Sequence, residues 1–361
     1  MQILSVVVFL VVMAAIVTEK VHRTVAAVAG GVVLVCLHIL TVDEAVSYID
    51  FSTIGVLIGM MLFVAVVRNS GLFEYMAIKS AKIAKGNPWK IMLLFTILTA
   101  VLSAFLDNVT TVLLVGPMAI AITGILGIDP VPFLLAQILA SNIGGTATLI
   151  GDPPNIMIGS QAGLSFMDFV GNTGIAVVFI MAALCVCFYF MFGKKLIVEP
   201  DKMAAVMQLD ENKSIKDHAL LVKSVVMIVV VVFGFVFHSS LGVDSCIIAL
   251  GSATIMLLIG KQDTEEIVLG VEWSTILFFT GLFVVVGGMQ QTGIITMLGN
   301  ALVEVTGGNA MLLMLLILWG SAMFSSVLDN IPFVATMIPL ILAMQADGMD
   351  VTALWCAWAS R

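Results

Sequence analysis

Charge is what this sequence lacks most. Lysine and arginine together number 15 and aspartate and glutamate 23, so only 11% of the 361 residues are charged, against roughly a quarter in soluble domains. With 61% apolar residues and a mean hydropathy of +1.18, the polar surface is too small to cover a single water-soluble core. Disorder is excluded by the same numbers. Basic residues are also too few for a nucleic-acid-binding face, and the net charge is -8. The five cysteines (Cys36, Cys185, Cys187, Cys246, Cys356) sit in apolar runs with no CxxC pair, which excludes a disulfide scaffold and reads as small buried hydrophobes. The four histidines (His22, His38, His218, His238) show no metal-site spacing. No motif for a metal centre or cofactor is present. What remains is an all-α polytopic membrane protein, its partner the lipid bilayer of a plasma (inner) membrane.

A helix needs about 20 apolar residues to cross the hydrocarbon. Apolar runs fall near 2–18, 24–40, 53–67, 91–106, 109–126, 131–150, 170–192, 219–238, 244–260, 274–289, 309–328 and 331–345. The first run has no basic leader and ends in Thr18-Glu19-Lys20, unlike a cleaved signal peptide. Basic residues collect on the cytoplasmic side. With the N-terminus outside and the runs alternating, every Lys and Arg except Arg361 falls inside. The long polar segment 193–218 then reads as a cytoplasmic linker between two transmembrane halves, 1–192 and 219–361.

The halves are related. Asp50-Phe51-Ser52-Thr53-Ile54 recurs as Glu272-Trp273-Ser274-Thr275-Ile276 (272 − 50 = 222), and Leu106-Asp107-Asn108 as Leu328-Asp329-Asn330 (329 − 107 = 222). From Ser52 to Pro117, 18 of 66 positions are identical at that offset, Gly-Asn and Asp-Asn pairs among them. This marks a duplication. The charges predict that the second copy is inverted: Arg68, Lys79, Lys82, Lys85 and Lys90 face Gln290, Ala301, Glu304, Gly307 and Leu312. Inverted repeats characterise secondary transporters with a site at the midplane. The counterpart of Ser141–Gly151 would begin at 141 + 222 = 363, past Arg361. The second copy is therefore expected to be incomplete, a truncated C-terminus.

An ionisable group at bilayer depth is costly and by default functional. Asp107 and Asp329 each end an apolar run and each precede an Asn. Both are expected at the tip of a hairpin or broken helix, with Pro332 interrupting the second. A carboxylate there can also cap the helix that starts at Asn108 or Asn330. The third element runs from Ser141 and Asn142 through Gly144, Gly145, Thr146 and Thr148 to Asp152-Pro153-Pro154-Asn155. Its glycines let the backbone unwind, and Pro153-Pro154 are expected to delay the helix's return. Unwound carbonyls coordinate cations, and half-helix N-termini favour anions. Leu72, Phe73, Met76, Ile78 and Ile83 alternating with Lys79, Lys82 and Lys85 read as an interfacial amphipathic helix.

At Ser103-Ala104-Phe105-Leu106-Asp107-Asn108-Val109-Thr110-Thr111, at Ser141 through Asn155 and at Ser326-Val327-Leu328-Asp329-Asn330-Ile331-Pro332, the sequence resembles the ion transporter superfamily. It looks closest to the branch of arsenite permeases, the melanosomal P-protein and NhaD-type sodium/proton antiporters. The resemblance implies two inverted repeats, each with a re-entrant hairpin and a broken helix, and often a homodimer. In the related dicarboxylate carriers the hairpin tips read Ser-Asn-Thr and bind sodium. Here they read Asp107-Asn108-Val109 and Asp329-Asn330-Ile331, which leans towards proton-linked or antiport chemistry, with sodium possible at Asn108 and Asn330.

The expected function is secondary active transport of a small ion or metalloid, either an arsenite- or antimonite-like anion or Na+. Coupling to H+ or Na+ would run through Asp107 and Asp329. Asn108, Thr110, Thr111, Asn330 and the 141–155 element would line the site. An organic-anion (citrate- or dicarboxylate-like) permease is the alternative, and an ion channel a rival of another class. An intramembrane aspartyl protease would place its aspartates as a facing acid/base pair. The Gly-x-Gly-Asp context expected there is missing around Asp329, so the protein is read as a transporter and not an enzyme.

Overall fold

The computed structural model describes residues 1–325, 330–346, 351 and 355, and every regular element among them is helical. In chain order these are α1 (Gln2–Thr18), α2 (Arg23–Cys36), α3 (Val42–Ser47), α4 (Phe51–Arg68), α5 (Leu72–Ile83), α6 (Pro88–Ser103), α7 (Asn108–Leu126), α8 (Val131–Gly145) and α9 (Pro153–Ala162). A nearly continuous helix, Phe166–Gly193, contains α10 (Phe166–Phe169) and α11 (Ile175–Phe188) with π-helical turns beside them. Then come α12 (Pro200–Met207), a 3₁₀ turn (Glu211–Ser214), α13 (His218–Leu241), α14 (Ser245–Gly260), α15 (Thr264–Leu269), α16 (Trp273–Gln291), α17 (Ile294–Val305), α18 (Ala310–Ser325) and α19 (Asn330–Ala346).

Five of these helices are long and apolar enough to cross a membrane: α4, α7, Phe166–Gly193, α13 and α16. A sixth span results if α17 and α18, bent by 119° at a short break, count as one. The chain is a multi-pass membrane protein. Helix starts are set by side-chain caps: Asn87, Asp107, Asp217, Asp244 and Asp263 each accept backbone N–H bonds from the first turn that follows.

The duplication is visible in the helix boundaries. Adding 222 to α3 gives 264–269, to α5 gives 294–305 and to α6 gives 310–325, which are the bounds of α15, α17 and α18. The glycines that open α5 and α17 share a left-handed backbone, Gly71 at φ 82° and Gly293 at φ 75°, a conformation that strains other residues.

The helices gather into two compact units, and each draws on both copies. One holds Met1–Ile58, Ile156–Leu164 and the described residues from Glu272 on. In it α16 packs along α2, and a Cβ on Gly281 would lie 2.6 Å from the carbonyl carbon of Ala27. The other holds Gly59–Asn155 and Ser165–Val271. In it a Cβ on Gly59 would lie 2.6 Å from the carbonyl carbon of Ala249. These are equivalent contacts, since 281 − 59 and 249 − 27 both equal 222. Each copy's fourth helix thus lies against the second helix of the other copy.

The second unit shows what α5 and the 193–218 segment pack against. Part of the apolar face of α5 is turned into protein: Leu72, Phe73, Ala77, Ile78 and Ala81 are buried, while Ile83 stays exposed, and Ala77 and Ala81 join the cluster built by Phe95, Val115 and Phe133. The 193–218 segment packs onto the same unit. Val206 is fully buried in the same cluster, Glu211 pairs with Lys82 at 2.5 Å, and the Lys216 amide donates to the Ser70 carbonyl.

Candidate functional site

The site is built in the second unit, where α6, α7 and α8 end or begin together. Asn87 caps α6 and Pro88 occupies its first position, which needs no N–H donor. α6 spans 16 residues, about 24 Å, short of a full crossing. It stops at Ser103, and four residues turn the chain into α7. Asp107, in extended backbone, closes that turn by accepting the Thr110 N–H on Oδ1 at 2.8 Å. Its own carbonyl accepts from the Thr111 hydroxyl at 2.9 Å. Asp107 is half-buried, and its Oδ2 carries no hydrogen bond among the described residues. The cap therefore engages one carboxylate oxygen and leaves the other for chemistry.

The break between α8 and α9 lies against this turn. Gly144 lets α8 touch α6 backbone to backbone, and a Cβ there would sit 2.2 Å from the Ala100 carbonyl oxygen. From Thr146 to Asp152 the chain is not helical. Backbone carbonyls in and around the break are answered by side chains, as burial requires. The Asn155 amide donates to Gly145 O at 3.1 Å and to Thr148 O at 2.9 Å. Thr173 donates to Thr146 O at 2.8 Å, Ser103 to Ser141 O at 2.7 Å, and Thr148 to Ala104 O. Pro153 and Pro154 do not delay the helix. They form the first turn of α9, where a missing N–H is harmless.

Asp107, Asn108, Thr110, Ser141, Asn142, Gly144, Gly145, Thr146, Thr148 and Asn155 are thus brought to one place, with half-buried Asp152 at the start of α9. They divide by task. Thr111, Ser141, Thr148 and Asn155 are buried, and their side chains hold backbone groups. Asp107, Asn108 and Asn142 keep polar surface, and the Asn108 amide donates to Asn142 Oδ1 at 2.8 Å. In the other unit, Asn330 is exposed and accepts from the Ser325 hydroxyl at 2.6 Å. Pro332 lies inside the first turn of α19 and does not break it. Asp329 lies outside the described residues.

A buried carboxylate beyond these was missed. Asp50, 8% exposed, accepts four hydrogen bonds: Thr53 N (3.1 Å) and Ser160 Oγ (3.0 Å) on Oδ1, Thr53 Oγ1 (2.7 Å) and Gln161 Nε2 (3.0 Å) on Oδ2. It caps α4 and holds the last turn of α9. The signal was the repeat itself, since Glu272 accepts from Thr275 Oγ1 at 3.1 Å at the equivalent place.

Apolar spans interrupted at polar, glycine-lined breaks define a class, the multi-pass membrane transporters. A citrate transporter family profile matches residues 13–360, and the chain belongs to that family, CitMHS. An uncharacterised transporter of Mycobacterium tuberculosis is 41% identical over 350 residues, covering 96% of this chain and 81% of its own length. A 46 kDa membrane protein of Mycobacterium leprae is 39% identical over 367 residues, with 99% and 85% covered. The human P protein is 32% identical over 416 residues, with 92% and 50% covered.

Proposed function

We propose that this transporter is a secondary active carrier of a small ion or metalloid, an arsenite- or antimonite-like anion or Na+. It is coupled to H+ or Na+ through Asp107 and, in the second copy, Asp329. The observation that carries the reading is Asp107 itself. A half-buried carboxylate in a helix break, with one oxygen capping and the other free, can exchange a proton or hold a cation without dissolving its own turn. Asn108 and Asn142 beside it offer amide oxygens and donors for the transported species or for sodium. The similarity to the P protein agrees with the branch to which the sequence motifs point.

An organic anion such as citrate is the second reading, favoured by the family's description. With no Lys or Arg in the described site, such an anion would be held by amides, hydroxyls and helix ends.

The two copies are read as inverted, with the N-terminus outside and 193–218 cytoplasmic in a bacterial-type inner membrane. A homodimer is the working assembly. The deciding experiment is flux into proteoliposomes with imposed pH and sodium gradients, across arsenite, antimonite, sodium and citrate. Saturable uptake driven by one gradient supports the carrier. Non-saturating flux indifferent to both gradients would replace it with a channel.

A further inference from the structure

The helix Phe166–Gly193 ends far from the Asp107 turn in a geometry of its own. Its last turn, Tyr189–Gly193, is π-helical, a widening often found at functional sites. The turn brings Gly193 under the Tyr189 ring, where a Cβ would stand 2.8 Å from Cδ2 of Tyr189 and 3.4 Å from Cε3 of Trp89. A side chain there would press against both rings. Without one they meet edge to face, 5.2 Å between centroids. Trp89 lies in the first turn of α6, so this aromatic pair ties the end of one helix to the start of another.

Lysines follow both contact residues: Lys90 after Trp89, and Lys194 and Lys195 after Gly193. All three are exposed. Because Trp89 and Gly193 lie against each other, these long, flexible side chains leave from adjoining stretches of backbone. Among the described residues, none of the three makes an ion pair or a side-chain hydrogen bond. Glu199, the next carboxylate along the chain, pairs with Lys202 at 3.9 Å instead. The Trp89 indole N–H and the Tyr189 hydroxyl likewise have no hydrogen bond among the described residues. Phe190, Met191 and Ile197 beside them are 69%, 55% and 85% exposed.

We propose that this edge binds the headgroup phosphate of an anionic phospholipid, with the acyl chains beside Phe190 and Met191. The chemistry selects the ligand. Tryptophan and tyrosine settle at the membrane–water boundary, with the ring in the apolar layer and the polar tip among the headgroups. Three unpaired cations there call for an anion, and the indole N–H and phenol O–H add donors to its oxygens. A zwitterionic lipid brings the same phosphate with an ammonium group that the lysines repel. A free phosphate would meet the cations but leave the apolar rim uncovered.

The test uses the full chain in an uncharged detergent at low ionic strength, with phosphatidylglycerol, phosphatidylcholine or inorganic phosphate as the probe. Phosphatidylglycerol should raise the melting temperature by several degrees, and phosphatidylcholine by markedly less. K90Q/K194Q/K195Q should abolish that difference and, without lipid, melt like the parent, since the three side chains are exposed and unpaired. Each single substitution should weaken phosphatidylglycerol binding about fivefold, titrated by native mass spectrometry. These single variants carry the test if the triple variant does not fold, and unchanged binding in all of them overturns the proposal. K20Q/K213Q/K216Q removes as many exposed lysines elsewhere and should bind like the parent. Equal shifts with both lipids, or equal losses in the two triple variants, overturn the proposal, because the attraction would then be to net charge and not to this edge. A shift of the same size with inorganic phosphate overturns the lipid and gives the edge to a soluble anion.

Discussion

Asn108 and Asn142 meet side chain to side chain at 2.8 Å, joining the start of α7 to the end of α8. The contact places the turn that carries Asp107 directly against the helix that unwinds at Thr146. A carboxylate and an interrupted backbone thereby share one polar patch.

Asp107→Asn should separate capping from coupling. Asparagine caps a helix about as well as aspartate, so the variant should insert and melt within about 1 kcal/mol of the parent. It cannot exchange a proton. Gradient-driven flux in liposomes should be lost, and full retention would remove Asp107 from the coupling role. Asp107→Ala should lose flux and also about 1 kcal/mol of stability with the cap.

Gly144→Ala tests the backbone contact between α6 and α8. Its Cβ would stand 2.2 Å from the Ala100 carbonyl oxygen, which no rotamer change relieves. The helices must separate, at about 1–3 kcal/mol. A lower melting temperature in detergent is expected, and an unchanged one would show that the helices move apart freely.

Asp50→Ala should destabilise more than a typical surface change. It strands the donors of Thr53, Ser160 and Gln161, of which the Thr53 hydroxyl lies in a fully buried residue. A loss of about 2–4 kcal/mol is expected, since bonds to a charged group are worth about 1.5–3 kcal/mol each and water replaces some of them. Urea or thermal melting would read it.

The docking of 193–218 should depend on pH. The bond from Lys82 holds the Glu211 carboxyl below the ordinary glutamate range. A group with a depressed folded pKa stabilises the docked form above its unfolded pKa, about 4.3, and loses that contribution as pH falls through the folded value. Proteolysis within the segment should therefore quicken as pH drops below about 4, and equally in Lys82→Ala at pH 7.

The repeat was legible in the sequence because polar pairs such as Asp107-Asn108 and Asp329-Asn330 stand out against an apolar background at one offset. The Asp107 turn and the break after Gly145 followed from the same contrast. The prolines were misread, because Pro153 and Pro332 block a helix only in its interior and both fall in a first turn. That Thr148 and Asn155 bond backbone carbonyls was not legible, since sequence does not say which partner a polar side chain meets. The amphipathic pattern of α5 was legible, but nothing local reveals that α6 and α7 cover part of its apolar face.

The interleaving of the copies has a consequence for biogenesis. Once residue 271 has left the ribosome, every segment of the unit built from Gly59–Asn155 and Ser165–Val271 has been made. The helices α1 to α3 emerge first, yet α16, against which α2 packs, is synthesised some 240 residues later. The N-terminal hairpin therefore enters the bilayer long before the helix that α2 packs along has been made. That delay makes the placing of one of the earliest helices depend on one of the later ones.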